Sequence, residues 1–281
     1  MPPSNTSLRR YDAPFDWPAL EEVIARESGV IAEGMIATDT IDAVNAEIDA
    51  WLAAHEEGGA PASGNPLYDA FLGHNTIRLH GLCEKVPGTN DLLAHPELVD
   101  WAERAIAPLA ASVRLNAGEL IQIGPGEPAQ MLHRDSDSWP LPVGPDPCVV
   151  NAIIAFDDCT LENGATYVVP GSHAWLRERQ PEPREFARAV MKRGDALLFR
   201  GDAIHGGGEN VSEGRRRALS ISYCAGWLRP VENSFLNVSR ESARAASPAL
   251  RALLGYAAHD GTAMLGGLIG LYEGGDPAHA L

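Results

Sequence analysis

The sequence is poor in cysteine. Its four cysteines, Cys83, Cys148, Cys159 and Cys224, are scattered, and no CxxC pair occurs. That excludes a zinc ribbon and a thioredoxin-like motif, and reduced thiols in a cytoplasmic protein are expected. No run of about 18 apolar residues is present, so no membrane-spanning helix is expected. The opening MPPSNTSLRRYDAPFDWP has two arginines but no apolar stretch behind them, which argues against a secretory signal. Basic charge is also scarce: 22 Lys and Arg stand against 38 Asp and Glu, a net charge of −16. Nucleic acid needs clustered Lys and Arg at its phosphates and is excluded as a partner; an anionic membrane is disfavoured for the same reason. A small molecule fits this balance better.

What is present suits one globular domain. The chain has 281 residues, 45% hydrophobic and 21% charged, enough for a full core. Residues 1–18 read as an N-terminal arm. Residues 19–112 read as mostly helical: TDTIDAVNAEIDAWLAAHEE spaces Ile41, Val44, Ile48, Trp51 and Leu52 at helical intervals, and HPELVDWAERAIAPLAASV places Pro96 at a first turn. The stretch 58–66, GGAPASGNP, reads as a turn-rich loop. Residues 113–229 change character. VRLNAGELIQIG, CVVNAIIAFDD, ATYVVPGSH, DALLFRGDAIHGGG and RRALSISYCAGWL are short apolar and β-branched segments parted by Gly, Pro, Asn and Asp. Such a succession predicts a barrel or sandwich. Residues 230–281 read as a helical, Gly-rich tail.

The segment QMLHRDSDSWP holds His133 and Asp135 with Arg134 between them. On extended backbone, residues two apart share a face, so both side chains could reach one ion while Arg134 points away. An ordinary polar turn would look the same. His205 ends the apolar run DALLFRGDAIH and precedes three glycines, which leave room for a close approach; a strand end with a flexible turn is the plainer reading. Together the three make a set of two histidines and one carboxylate. That set leaves three positions open on octahedral Fe(II), whereas zinc usually keeps fewer. A bidentate anionic co-substrate would need a cation at its far end. On a strand, Arg216, Ala218, Ser220 and Ser222 share a face, an arginine above a row of small residues, while Arg215 and Arg217 face elsewhere and are expected to be solvated.

His133-x-Asp135, LENGATYVVPGSH (161–173) and HGGGENVSEGRRRAL (205–219), in this order, resemble the phytanoyl-CoA dioxygenase family of Fe(II)/2-oxoglutarate oxygenases, in its natural-product branch. The likeness spans roughly residues 20–240. It implies a mainly β fold: a double-stranded β-helix, or jelly-roll, with N-terminal and C-terminal helices packed on it. It implies Fe(II) on His133, Asp135 and His205, and 2-oxoglutarate on Arg216, with Gln130, Thr166 and Arg78 beside it. O2 is then the second co-substrate and ascorbate the reductant. Asp135 stands where related halogenases carry a small residue, so oxygen chemistry is expected over halogenation. His173 is expected to be structural. The implied reaction is oxidation of an unactivated C–H bond of a small, largely apolar molecule, by hydroxylation, desaturation, rearrangement or endoperoxidation. Trp139, Tyr68, Phe71 (in a 65–75 loop), Trp227 and Phe235 are the candidate substrate contacts. A homodimer, with the C-terminal segment at the contact, is expected by analogy.

Other readings fit less well. HRD resembles a kinase catalytic loop, but no Gly-rich phosphate loop accompanies it, and HGGG resembles a lipase oxyanion hole without any GxSxG elbow. A catalytically inactive jelly-roll that only binds a ligand, and a zinc-dependent hydrolase on the same fold, are the alternatives from other classes. The identity of the substrate is not written in the residues.

Overall fold

The computed structural model describes residues 7–55, 64–141, 144–259 and 269–281. The apolar segments of the second half fold as predicted into β4 (Val113–Ile123), β5 (Val149–Ala155), β6 (Thr166–Val168), β8 (Ala196–Arg200), β9 (His205–Gly206) and β10 (Arg216–Ala225). Four further strands form where the sequence pattern predicts none: β1 (Arg9–Asp12), β2 (Gly29–Glu33), β3 (Thr76–Leu79) and β7 (Ala187–Ala189). The seven-stranded sheet runs β1-β2-β8-β5-β10-β4-β3, and a three-stranded sheet runs β7-β6-β9. Only the β1–β2 pair is parallel among the named pairs. The N-terminal arm and the helical region therefore supply both edges of the large sheet. Short strands such as TIRL carry too few residues for alternation to announce them; an exposed edge is what recruits them.

Helices α1 (Trp17–Glu27) and α2 (Thr38–His55) cover the outer face of the large sheet, joined by a helix over Pro96–Ile106 with Pro96 in its first turn. In α2, Ile41, Val44 and Ile48 are buried, as their spacing requires. They join Trp101, Leu219, Ile221 and Tyr223 in one large core, and the Tyr223 hydroxyl donates to Leu93 O at 3.0 Å. A second, smaller core lies between the two sheets and holds Ile31, Ala155, Val168, Ala187, Ala189, Leu197 and Phe199.

Strand alternation gives β10 two different faces. Leu219 and Ile221 point outward to the helices. Arg216, Ala218, Ser220 and Ser222 take the other phase, opposite Ile123, Ile121, Glu119 and Ala117 of β4. They share that inner face with Asn151, Ile153 and Ala155 of β5. Arg217 corrects the expectation of a solvated side chain: it is wholly buried on the outer face. Its guanidinium donates to Asp49 Oδ1 at 2.7 Å and Asn45 Oδ1 at 2.8 Å, both on α2, and to Gln122 Oε1 at 2.6 Å on β4. Arg215 stays exposed, on Asp49 and Gln122.

Two further expectations shift. The 65–75 loop contains a helix, α3 (Pro66–Leu72), started by Asn65, whose side chain accepts from Leu67 N and Tyr68 N. Most of the turn-rich stretch 58–66 lies outside the described residues. No helix among the described residues is long and apolar enough to cross a membrane. All four cysteines are free.

Candidate metal centre between the sheets

His133 and His205 face each other across a backbone bridge. Each N–H donates to the other's carbonyl at 3.0 Å, which sets the imidazole rings 4.3 Å apart, centroid to centroid. Close pairing here depends on the glycines after His205: a Cβ on Gly206 would stand 3.2 Å from Gln130 O, and one on Gly208 would stand 2.4 Å from Ala165 O. At Gly206 and Gly208 the space beside the glycine is taken up by neighbouring backbone. Arg134 is extended, and after it the chain turns into a short 3-10 helix at Asp135. That single extended residue puts His133 and Asp135 on one side and turns Arg134 away, onto Asp202 O at 3.0 Å and Ser172 O at 3.2 Å.

The three side chains converge. His133 Nε2 lies 3.4 Å from Asp135 Oδ1, His205 Nε2 lies 3.7 Å from Asp135 Oδ2, and one donor atom from each falls within 4.8 Å of the others. Both histidines have Nδ1 against a carbonyl, Met131 O at 3.0 Å and Ala203 O at 3.1 Å. A carbonyl accepts only, so Nδ1 carries the proton and Nε2 offers its lone pair to the shared point. Asn151 Nδ2 donates to Asp135 Oδ2 at 2.8 Å and fixes the carboxylate. Burial alone would raise the Asp135 carboxyl, but the flanking imidazoles and the Asn151 amide outweigh it and hold it below the ordinary range. Burial, reinforced by His133, pushes His205 down to about 4. Near neutrality the centre therefore presents one anion and a neutral His205 ring, the protonation states a divalent cation needs.

Arg216 lies on the inner face and is buried. One of its terminal nitrogens donates to Gly164 O, while Nε has no partner, and no carboxylate pairs with it among the described residues. A buried cation in this state has hydrogen-bonding capacity and charge left over. Thr166, at the head of β6, is buried in the small sheet.

The remaining candidates divide. Phe71 sets its edge against the His133 ring at 4.8 Å, with Tyr68 stacked behind it at 6.2 Å. Gln130 accepts from Gly207 N at 3.0 Å and donates to Phe71 O at 3.2 Å, and Arg78 pairs with Glu119 at 2.9 Å. Trp139 packs against the larger core with its indole N–H on Arg229 O. Phe235 lies against Tyr256 and lines a cavity of about 760 Å³, and Trp227 lines another of about 230 Å³. Neither cavity is lined by His133, Asp135 or His205, but Arg134 and Ser136, on each side of Asp135, line the one with Trp227. His173 hydrogen-bonds Ser28 Oγ at 2.8 Å, away from the donors. The sequence motifs did not point to Asn151 or Glu119. Asn151 had a usable signal: it is the lone polar residue in the apolar run CVVNAIIAF.

The family model for phytanoyl-CoA dioxygenase matches residues 27–218. The chain belongs to the phytanoyl-CoA dioxygenase family. This family member is thereby an oxidoreductase of the dioxygenase class. It is 32% identical over 254 residues to the dioxygenase aneA of Aspergillus aculeatus, covering 86% of this chain and 83% of that protein. It is 30% identical over 250 residues to the dioxygenase olcK of Penicillium canescens, covering 87% and 81%. Among solved structures, the non-heme alpha ketoglutarate dependent carbocyclase SnoK from nogalamycin biosynthesis aligns with a TM-score of 0.62 at 19% identity, over 78% of this chain and 88% of that one. The epimerase SnoN, in complex with Fe3+, alpha ketoglutarate and nogalamycin RO, aligns at 0.59 and 20%, over 80% and 90%. These likenesses give the fold as the jelly-roll of that class, with a large antiparallel sheet facing a small one.

Proposed function

We propose that this dioxygenase uses Fe(II) and 2-oxoglutarate to oxidise an unactivated C–H bond of a small, largely apolar molecule in natural-product biosynthesis. The outcome is hydroxylation or a related desaturation, rearrangement or endoperoxidation. One observation carries the reading: an unneutralised buried arginine, Arg216, shares the barrel interior with two imidazoles and a carboxylate aimed at one point. Structural ion-pair networks do not leave such a cation open; a site for a metal-bound dianion does.

His133 and His205 hold the metal through Nε2 and Asp135 holds it through its carboxylate. Arg216 takes the far carboxylate of 2-oxoglutarate, with Thr166 beside it. When bound, Fe(II) and 2-oxoglutarate supply, with O2, an oxidant able to take hydrogen from an unactivated C–H bond, and ascorbate keeps the metal ferrous. The chain's own residues supply position. Asn151 keeps the Asp135 carboxylate turned toward the histidines. The apolar residues between the sheets and the ring of Phe71 keep water from the reacting atoms. Phe71 and Tyr68 offer aromatic surface to an apolar substrate. The natural-product setting is supported by the named dioxygenases of Penicillium and Aspergillus and by SnoK and SnoN of nogalamycin biosynthesis.

Anaerobic addition of Fe(II) and 2-oxoglutarate should give a weak visible metal-to-ligand charge-transfer band. Asp135→Ala and His133→Ala should each abolish it, and with it succinate formation. A band of undiminished strength in either variant would defeat the proposal.

A further inference from the structure

Helix α3 is seven residues long and has no buried side chain. A helix that short has no stability of its own. Yet its Phe71 rests on His133, one of the metal donors. Its C-terminal end is held from below by two side chains of the barrel, which donate to consecutive carbonyls: Gln130 Nε2 to Phe71 O at 3.2 Å and Arg78 Nε to Leu72 O at 2.8 Å. Glycines in left-handed backbone bracket it, Gly64 at φ 80° and Gly73 at φ 102°. Such residues absorb backbone rotation at little cost and are found at hinges.

Arg78 is in turn aimed by Glu119. That carboxylate lies on the inner face of β4, opposite Ser220. Its Oε2 takes Arg78 Nη1 at 2.9 Å and its Oε1 meets His80 Nε2 at 3.2 Å, with the Arg78 and Glu119 side chains only 9% and 14% exposed. A planar guanidinium held at one edge by a carboxylate has its other N–H directions fixed. A plain ion pair joining edge strand β3 to β4 would account for Nη1. It leaves unexplained Nε, which departs from the sheet and reaches the helix.

We propose that α3 is a hinged cover over the centre and that Glu119 is the positioning residue that latches it, acting through Arg78. In the latched state Phe71 sits on His133 and Tyr68 lies behind it. Release of the Leu72 carbonyl removes the charged one of the two ties and leaves Gln130 on Phe71 O; α3 then swings more readily about Gly64 and Gly73, which lifts Phe71 and opens the space between the sheets to substrate. What the cover closes on is the centre proposed above; the latch itself needs neither metal nor co-substrate.

Chymotrypsin tests this on the metal-free full chain, because α3 carries Leu67, Tyr68, Phe71 and Leu72. Glu119→Gln should speed cleavage within 67–72 about tenfold, the effect of losing one charge-assisted hydrogen bond. Arg78→Lys should do the same, since a lysine can pair with Glu119 but carries all its N–H groups on one terminal nitrogen and has none at the Nε position that reaches Leu72 O. Amide exchange across β4 should stay at the wild-type rate in both. Wild-type cleavage in Arg78→Lys would make the pair a strand tie only and overturn the latch, as would faster exchange throughout β4. If Glu119→Gln does not fold, Arg78→Lys decides alone. The charge-transfer titration tests the centre separately, so the two proposals fail by different measurements.

Discussion

Arg216 and Arg217 are neighbours on one strand, both buried, and they lead opposite lives. Arg217 points to the helix layer, where Asp49, Asn45 and Gln122 satisfy its guanidinium. Arg216 points between the sheets, where Nε is left without a partner. The same contrast holds for the two faces of the large sheet. The outer face is closed apolar packing in which the buried cation, Arg217, has its partners. The inner face keeps Arg216, Asp135, His133 and His205 in states that a ligand would complete. A buried charge with its partners in the protein is structure; one that lacks a counter-charge beside a convergent set of donors is what a ligand site requires.

Substitutions on the outer face should therefore move stability and leave ligand binding alone. Leu219→Ala, in the larger core, should cost about 3 kcal/mol, seen in urea unfolding, with 2-oxoglutarate affinity unchanged. A large loss of affinity there would blur the distinction between the faces.

Acid should act through the inner face. The unfolded chain takes up a proton at His205 near its ordinary value, while the folded metal-free protein resists until about pH 4. Its folded value is depressed, so the unfolded state binds more protons between these limits and stability falls as pH drops through that window. Asp135, also held low, adds to the loss at the acid end. The contribution of His205 is about 3 kcal/mol. His205→Gln, which does not titrate, should flatten the pH dependence of unfolding above pH 4. An unchanged slope would show that His205 is not held neutral.

The two arginines give the sharpest contrast. Arg216→Gln should weaken 2-oxoglutarate binding about a hundredfold while the thermal midpoint holds or rises, because an uncompensated buried charge is removed. Arg217→Gln should lower the midpoint by roughly 5 °C and leave that affinity within twofold, about the scatter of such measurements. Reversed results would reverse the assignment. The smallest effect is at Asn151. Asn151→Ala frees the Asp135 carboxylate to turn and should weaken divalent-metal affinity about tenfold, measured by competition with a chelator dye.

Much of the fold was legible because β4, β5, β8 and β10 are long enough, and apolar enough, for strand character to be read locally. The alternation of RRALSISY is sufficient to set Arg216 with Ala218, Ser220 and Ser222. The nearness of His133 to Asp135 was legible too, since a single extended residue is all that they need to share a face. Other features had no local signature. Arg217 looked solvated because its partners Asn45 and Asp49 come from α2, far back in the chain. The pairing of Arg78 with Glu119 had no local sign either, because the two meet only across the β3–β4 pairing. Which cavity Phe235 and Trp227 line was not legible, since a sequence does not say on which side of a sheet a loop residue comes to rest.

By itself the sequence determined the period-two pattern of the strands, the chemical types of the donors, and the phase that separates Arg216 from Arg217. Those follow from backbone geometry, which acts between near neighbours. Tertiary structure alone decided which arginine was satisfied, how closely residue 205 approached residues 133 and 135, and that a short helix came to rest above them. Each of these depends on contacts between distant segments, where pairing and desolvation are settled only when the sheets close.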